Sequence, residues 1–180
     1  MKRVFLIHGF DGRPDNHWFP WLKRELEARY FKVYTPAMPN AAHPKVHEWI
    51  SFIKEWVGKP DEETFFVGHS LGCIATVRYL ETLPDDAKIG GAVFVAGFSG
   101  NINAPEIEEF YALPVDVSKV RRFGNKFVSI LSDNDDTVPL EKGIEFSNLL
   151  RAKTRVLRGK GHFCKDDGVT SLPEVLKALL

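Results

Sequence analysis

The chain is poor in cysteine. Two thiols in 180 residues, Cys73 and Cys164, exclude a disulfide-stapled secreted scaffold. It has no surplus of either charge, because Lys plus Arg is 24, Asp plus Glu is 24, and the formal net charge is zero. The basic excess that marks a nucleic-acid binder or a peripheral protein on anionic lipid is therefore missing. No apolar run approaches the ~20 residues needed to cross a bilayer. The run Val4–Ile7 is too short for a signal peptide, and no small-residue cleavage site follows it. These features predict a cytoplasmic protein with reduced thiols. Neither a G-x-x-x-x-G-K-[ST] phosphate loop nor a G-x-G-x-x-G fingerprint occurs, so nucleotide chemistry has no support and no cofactor is expected.

What is present is an ordinary globular balance, 44% hydrophobic and 27% charged, in a length that fits one domain spanning 1–180. Strand-like and helix-like segments alternate. Val4–Ile7, Phe31–Thr35, Thr64–Val67, Ala92–Val95, Phe127–Leu131 and Thr154–Leu157 are short apolar runs of the kind buried in a sheet. Between them, helical spacing of Trp18, Leu22, Leu26 and Tyr30 predicts a helix over 17–30. Further helices are predicted over 44–57, 71–83 and 140–150, and a last one through Leu172, Val175, Leu176 and Leu179. This alternation predicts a three-layer α/β/α sandwich around a mostly parallel sheet of about six strands. The stretch 98–124, rich in Gly, Asn, Pro and acidic residues, is the one irregular segment and the one candidate for a small lid.

Gly68-His69-Ser70-Leu71-Gly72 matches G-x-S-x-G, with an apolar strand before it and a helical pattern after it. A sharp strand-to-helix turn lifts a serine hydroxyl above the sheet, and the flanking glycines permit the close backbone. Without catalysis the same residues would be a glycine-punctuated turn. A serine hydroxyl needs a base, and the base needs an orienting carboxylate. On this architecture both should follow in the order acid, then histidine, on loops after later strands. Ser132 to Pro139 carries Asp133, Asp135 and Asp136, and Gly159 to Phe163 carries His162. Of the three carboxylates, Asp135 is selected by its Asp-x-x-x-Pro spacing to Pro139. The other two suit loop capping or solvation. For an oxyanion, the expected donors are the backbone N–H groups of Leu71 and of Phe10, in the loop after the first strand. His8 is read as shaping that loop by hydrogen bonding.

Together, His8-Gly9-Phe10, the Ser70 pentapeptide, Asp135 to Pro139 and Gly161-His162 resemble the α/β-hydrolase fold. More narrowly, the chain is similar to the small serine hydrolases related to retinoblastoma-binding protein 9 and its bacterial relatives. That likeness rests on His17-Trp18, Pro20-Trp21-Leu22, Met38-Pro39-Asn40 and Trp49, and on the short length. The resemblance implies a minimal fold without a large cap, a six-stranded parallel sheet, and a triad of Ser70, Asp135 and His162. It implies an esterase-like activity on a small-molecule ester or acyl substrate. The Leu-x-Cys-x-Glu motif that would bind retinoblastoma protein is absent, so that partner is not carried over.

With only 98–124 to cover it, the site should be shallow and favour small or short-acyl esters. A thioesterase or small peptidase would use the same residues, an acyltransferase or lyase could share the scaffold, and a binding protein would not require all three triad members. His43 and His47, four apart, read as a solvated helix face rather than a zinc pair, so no metal is expected. Cys73 and Cys164 sit three residues after Ser70 and two after His162, but buried inert thiols are the simpler reading. The four tryptophans fit packing onto the sheet.

Overall fold

A run such as Val4-Phe5-Leu6-Ile7 has no polar face to offer water, so its strand must be covered on both sides. In the computed structural model, which describes residues 1–123 and 126–180, this is what happens. The strands are β1 (Arg3–Ile7), β2 (Lys32–Tyr34), β3 (Thr64–His69), β4 (Gly91–Val95), β5 (Phe127–Ser132) and β6 (Lys153–Leu157). The helices are α1 (Phe19–Glu27), α2 (Val46–Val57), α3 (Leu71–Glu81), α4 (Val117–Phe123), α5 (Leu140–Leu150) and α6 (Pro173–Leu179), with a 3-10 helix at Pro105–Phe110. The strands form one parallel sheet in the order β2-β1-β3-β4-β5-β6.

Alternation along β1 separates the two cores. Val4 and Leu6 pack with Trp18, Leu22 and Leu26 on the α1 side and with Val175 and Leu179 of α6. Phe5 and Ile7 pack with Trp49 and Ile53 of α2, Ile74 and Val77 of α3, and Phe146 of α5. The chain steps from β1 outward to β2, then returns to lay β3 on the other side of β1. Strand order therefore reverses between β1 and β3, and the crevice above their carboxyl ends is the place such sheets bind ligands.

Two glycines let α3 dock there. A Cβ on Gly72 would run into the Ile7 carbonyl oxygen, and one on Gly68 would lie 2.7 Å from Cys73 Cα. The predicted helix over 17–30 is shorter, Phe19–Glu27, because His17 and Tyr30 both hold left-handed backbone angles. Tyr30, placed by its spacing on the apolar stripe, is 86% exposed in the turn to β2. Phe31 precedes β2 rather than starting it.

The stretch 98–124 is more ordered than its composition predicts, although Gly124 lies outside the described residues. Its two short helices bury Ile107, Phe110, Val120 and Phe123, and six- and seven-residue elements are too short to display a period. Arg78 of α3 pins this stretch. Its buried guanidinium donates to the carbonyls of Phe110 (2.9 Å), Leu113 and Pro114 (3.3 Å) and pairs with Glu81 at 2.9 Å. Glu81 in turn accepts the Asp116 N–H at 2.6 Å. Removing the cation would strand three carbonyls and a carboxylate. Arg78→Met should therefore lower stability by about 3 kcal/mol and open 98–123 to proteolysis. A urea midpoint equal to that of wild type would contradict the pinning.

Candidate active site

Ser70 caps the N-terminus of α3 with φ 53° and ψ −121°, a left-handed backbone that a non-glycine residue holds only under constraint. The constraint is visible: its N–H donates to Val95 O at 2.9 Å and its carbonyl accepts Cys73 N–H at 2.9 Å. The β1–α1 loop presses against it, since a Cβ on Gly9 would lie 3.0 Å from Ser70 Cβ and 3.5 Å from Oγ.

His8 shapes this loop as expected. Met38 N–H donates to its Nε2 at 3.0 Å, so the proton sits on Nδ1 and is donated to Gly9 O at 2.8 Å. Gly12 N–H donates to the same carbonyl at 3.1 Å. In a planar trans peptide the following N–H points the opposite way, so holding Gly9 O fixes the direction of the Phe10 N–H. Among the described residues, neither the Phe10 nor the Leu71 N–H has a backbone acceptor.

The loops after β5 and β6 are joined side chain to backbone. Asp133 accepts Gly159 N–H at 2.8 Å, Ser132 Oγ accepts Lys160 N–H at 3.0 Å, and Asn134 accepts Gly161 N–H at 2.9 Å. Next in line, the Asp135 carboxylate meets His162 Nδ1 at 3.0 and 2.9 Å and also accepts the N–H groups of Thr137 (2.9 Å) and Val138 (2.8 Å). Of the three aspartates, Asp135 is the one brought to His162. Asp133 caps the neighbouring loop, and Asp136 is exposed. Ser132 and Asn134 have roles that the sequence did not announce, because their partners lie 28 and 27 residues away.

Ser70 and His162 line one cleft of about 320 Å3, with Phe10, Arg13, His17, Thr137 and Cys164 among its walls. Phe10 is 42% exposed there. A larger cavity, about 570 Å3, lies at the opposite ends of the strands between Lys59 and Lys88, and no serine, cysteine or histidine is among its described lining residues. Chemistry, not size, selects the smaller one.

The two thiols differ. Cys73 is buried, which raises its pKa far above the ordinary thiol value against the smaller opposing effect of its contact with Val95 O at 3.3 Å. Cys164 is half-buried, and burial with the nearby Asp167 and Asp135 pushes it up to about 11. Both therefore stay protonated at neutral pH and are weak nucleophiles. His43 and His47 are both exposed. Trp18 and Trp49 are fully buried as expected, whereas Trp56 is 43% exposed.

Burial holds the His69 pKa well below 6.5 and lowers that of His8. The unfolded chain binds protons at both positions near pH 6.5, while the folded chain does not. Their contribution to stability is thus complete above pH 6.5 and is lost as pH falls towards the folded-state values. Each imidazole adds a slope of up to about 1.4 kcal/mol per pH unit. Urea midpoints should fall between pH 7.5 and 5, reporting net proton uptake on unfolding, and the fall should be shallower in His69→Gln. A pH-independent midpoint would refute this.

The family model described as "Serine hydrolase" matches residues 4–180. The YdeN protein of Bacillus subtilis is 33% identical over 179 residues, covering 99% of this chain and 94% of that protein. Its crystal structure superposes with a TM-score of 0.95, covering 99% of this chain and 98% of that one. Serine hydrolase RBBP9 of Rattus norvegicus is 24% identical over 166 residues, covering 91% of this chain and 86% of that protein. A carboxylesterase from an ammonia-oxidising thaumarchaeon shares the fold, with a TM-score of 0.68 at 15% identity, covering 99% of this chain and 88% of that one. An α/β-hydrolase sheet without a large cap, a left-handed serine between strand and helix, and a family match over nearly the whole length lead to one conclusion: the chain belongs to the serine hydrolase family.

Proposed function

We propose that the protein is a carboxylesterase-like hydrolase acting through an acyl-serine intermediate, with Ser70 as nucleophile, His162 as base and Asp135 as the orienting acid. The observation that carries this reading is the Asp135–His162 Nδ1 pair at 2.9 Å in the same cleft as a serine held at φ 53°. Because Nδ1–H is committed to Asp135, the neutral ring offers Nε2 to the cleft as the proton acceptor.

Ser70 Oγ attacks the ester carbonyl as its proton passes to His162 Nε2, and the carbonyl oxygen becomes an oxyanion beside the Phe10 and Leu71 N–H groups. Collapse expels the alcohol, which takes its proton from His162. Water then attacks the acyl-Ser70 ester, giving its proton to His162. The second collapse releases the acid and returns the proton to Ser70. Asp135 remains a carboxylate and stabilises the transient imidazolium. Free thiols at Cys73 and Cys164 suit a cytoplasmic setting.

Among the described residues, the cleft walls come from 8–19, 69–70, 137 and 162–164, with none from the pinned stretch 98–123. A volume of about 320 Å3 lies near the small end of ligand pockets and supports short acyl groups. A thioester of similar size would fit the same chemistry.

A fluorophosphonate probe should label wild type and fail on Ser70→Ala and His162→Ala, with Asp135→Asn lowering kcat by about 10^3- to 10^4-fold. Labelling that persists in folded Ser70→Ala would remove the serine from the mechanism. A binding role, by contrast, would survive Ser70→Ala. With 4-nitrophenyl esters, kcat/KM should be higher for acetate and butyrate than for dodecanoate. The reverse order would overturn the short-acyl assignment.

A further inference from the structure

His69 is usually a passenger in reading a G-x-S-x-G turn, but its surroundings give it work. It is the last residue of β3 and shares the sheet face of Phe65 and Val67, where its ring is buried at 4% exposure. Around it stand Trp18 (ring centroids 6.1 Å apart), His17 (5.4 Å) and His162 (5.1 Å). Its Nε2 lies 2.8 Å from the backbone carbonyl oxygen of His162. A carbonyl can only accept, so Nε2 carries the proton and donates it.

The loop that receives this bond needs holding. Gly159, Gly161 and Phe163 all have left-handed φ angles, 63°, 50° and 59°, and Phe163 pays a steric cost that the glycines do not. Asp133, Ser132 and Asn134 grip the N–H groups of residues 159–161, and Asp135 grips the His162 ring. All these contacts come from the β5 side. A ring tethered only at Nδ1 can still pivot about that point. The His69 bond comes from β3, one residue before Ser70, and fixes the other end of the same residue.

We infer that His69 is a positioning residue, whose Nε2–H ties the backbone of His162 to the strand that carries Ser70 and so sets the aim of His162 at the Ser70 hydroxyl. It stands in the cleft wall but acts through His162 rather than on the reacting atoms. This inference rests on the proposed roles of Ser70 and His162. Asp135 holds the His162 ring, while His69 at 2.8 Å holds its carbonyl, which Cys164 Sγ approaches only at 3.7 Å. A misplacement of about 1 Å between base and nucleophile costs up to about 100-fold in rate.

The test compares His69→Phe, which keeps a buried aromatic ring without a donor, with His69→Gln, which keeps an N–H donor. On 4-nitrophenyl acetate, His69→Phe should lower kcat by about 10- to 100-fold with KM within about threefold. His69→Gln should recover most of the loss, and fluorophosphonate labelling rates should follow kcat. In proton NMR, the downfield His162 Nδ1–H signal should broaden or vanish in His69→Phe and persist in His69→Gln. Equal kcat and equal NMR signals in the two variants would overturn the inference, since packing alone would then explain the site. If instead Ser70→Ala retains full esterase activity, the assignment of Ser70 as nucleophile fails. The NMR comparison still decides whether His69 holds His162.

Discussion

The site depends on how closely two backbone turns can approach above the carboxyl ends of β1 and β3. Gly9 lies against Ser70, and Gly72 at the start of α3 lies against the end of β1. A side chain at Gly72 would force the helix off the sheet, because packed interiors relax only partially around added volume, and one at Gly9 would crowd Ser70 Cβ at 3.0 Å. This approach brings the β1–α1 loop into contact with the Ser70 turn. Strand order sets where the crevice is, and the glycines set how narrow it becomes.

The other half of the site is built differently. The main-chain bonds end with Asp133 N–H to Leu157 O at 3.1 Å, and beyond it consecutive side chains hold these loops. Ser132, Asp133, Asn134 and Asp135 each accept an N–H from the facing loop, the last from an imidazole. Individually such bonds contribute about 1 kcal/mol net. Collectively they fix backbone angles that a chain would not adopt alone, including the left-handed Phe163, whose ring is itself fully buried. Steric approach makes the first wall and polar satisfaction makes the second. That difference explains why one loop is rich in glycine and the other in Ser, Asp and Asn.

Much of this was legible in the sequence because local chemistry states it. The apolar runs of β1, β3 and β4 announce doubly covered strands, and the Ser70 pentapeptide announces its turn by its glycines and its neighbours. Asp135 could be chosen from three aspartates because its spacing to Pro139 is local. What could not be read depends on distant partners. The contact of His69 with His162 spans 93 residues, and the carbonyls held by Arg78 lie 32 to 36 residues away. Nothing near either residue signals its partner. Tyr30 misled for the opposite reason, since its helical spacing is real but the left-handed turn after Ala28 removes it from the helix.

Four imidazoles line the cleft, and three of them, those of His8, His17 and His69, have their pKa values lowered by burial. His69 is kept neutral first by burial, then by the neighbouring His162. His17 is lowered by burial and by His162, against the opposing pull of Asp166 and Asp167. Lys165 N–H donates to His17 Nδ1 at 2.9 Å, so protonating that nitrogen would forfeit a bond already made. His162 alone faces a carboxylate at contact distance. A positive charge arriving on it meets Asp135 on one side and two neutral rings on the other. Had the His69 ring, 5.1 Å away, been charged, like-charge repulsion in a partly dry site would cost several kcal/mol. Neutrality of the bystanders is therefore as much a part of the site as the carboxylate, and it is secured by the same burial that makes His69 a rigid donor.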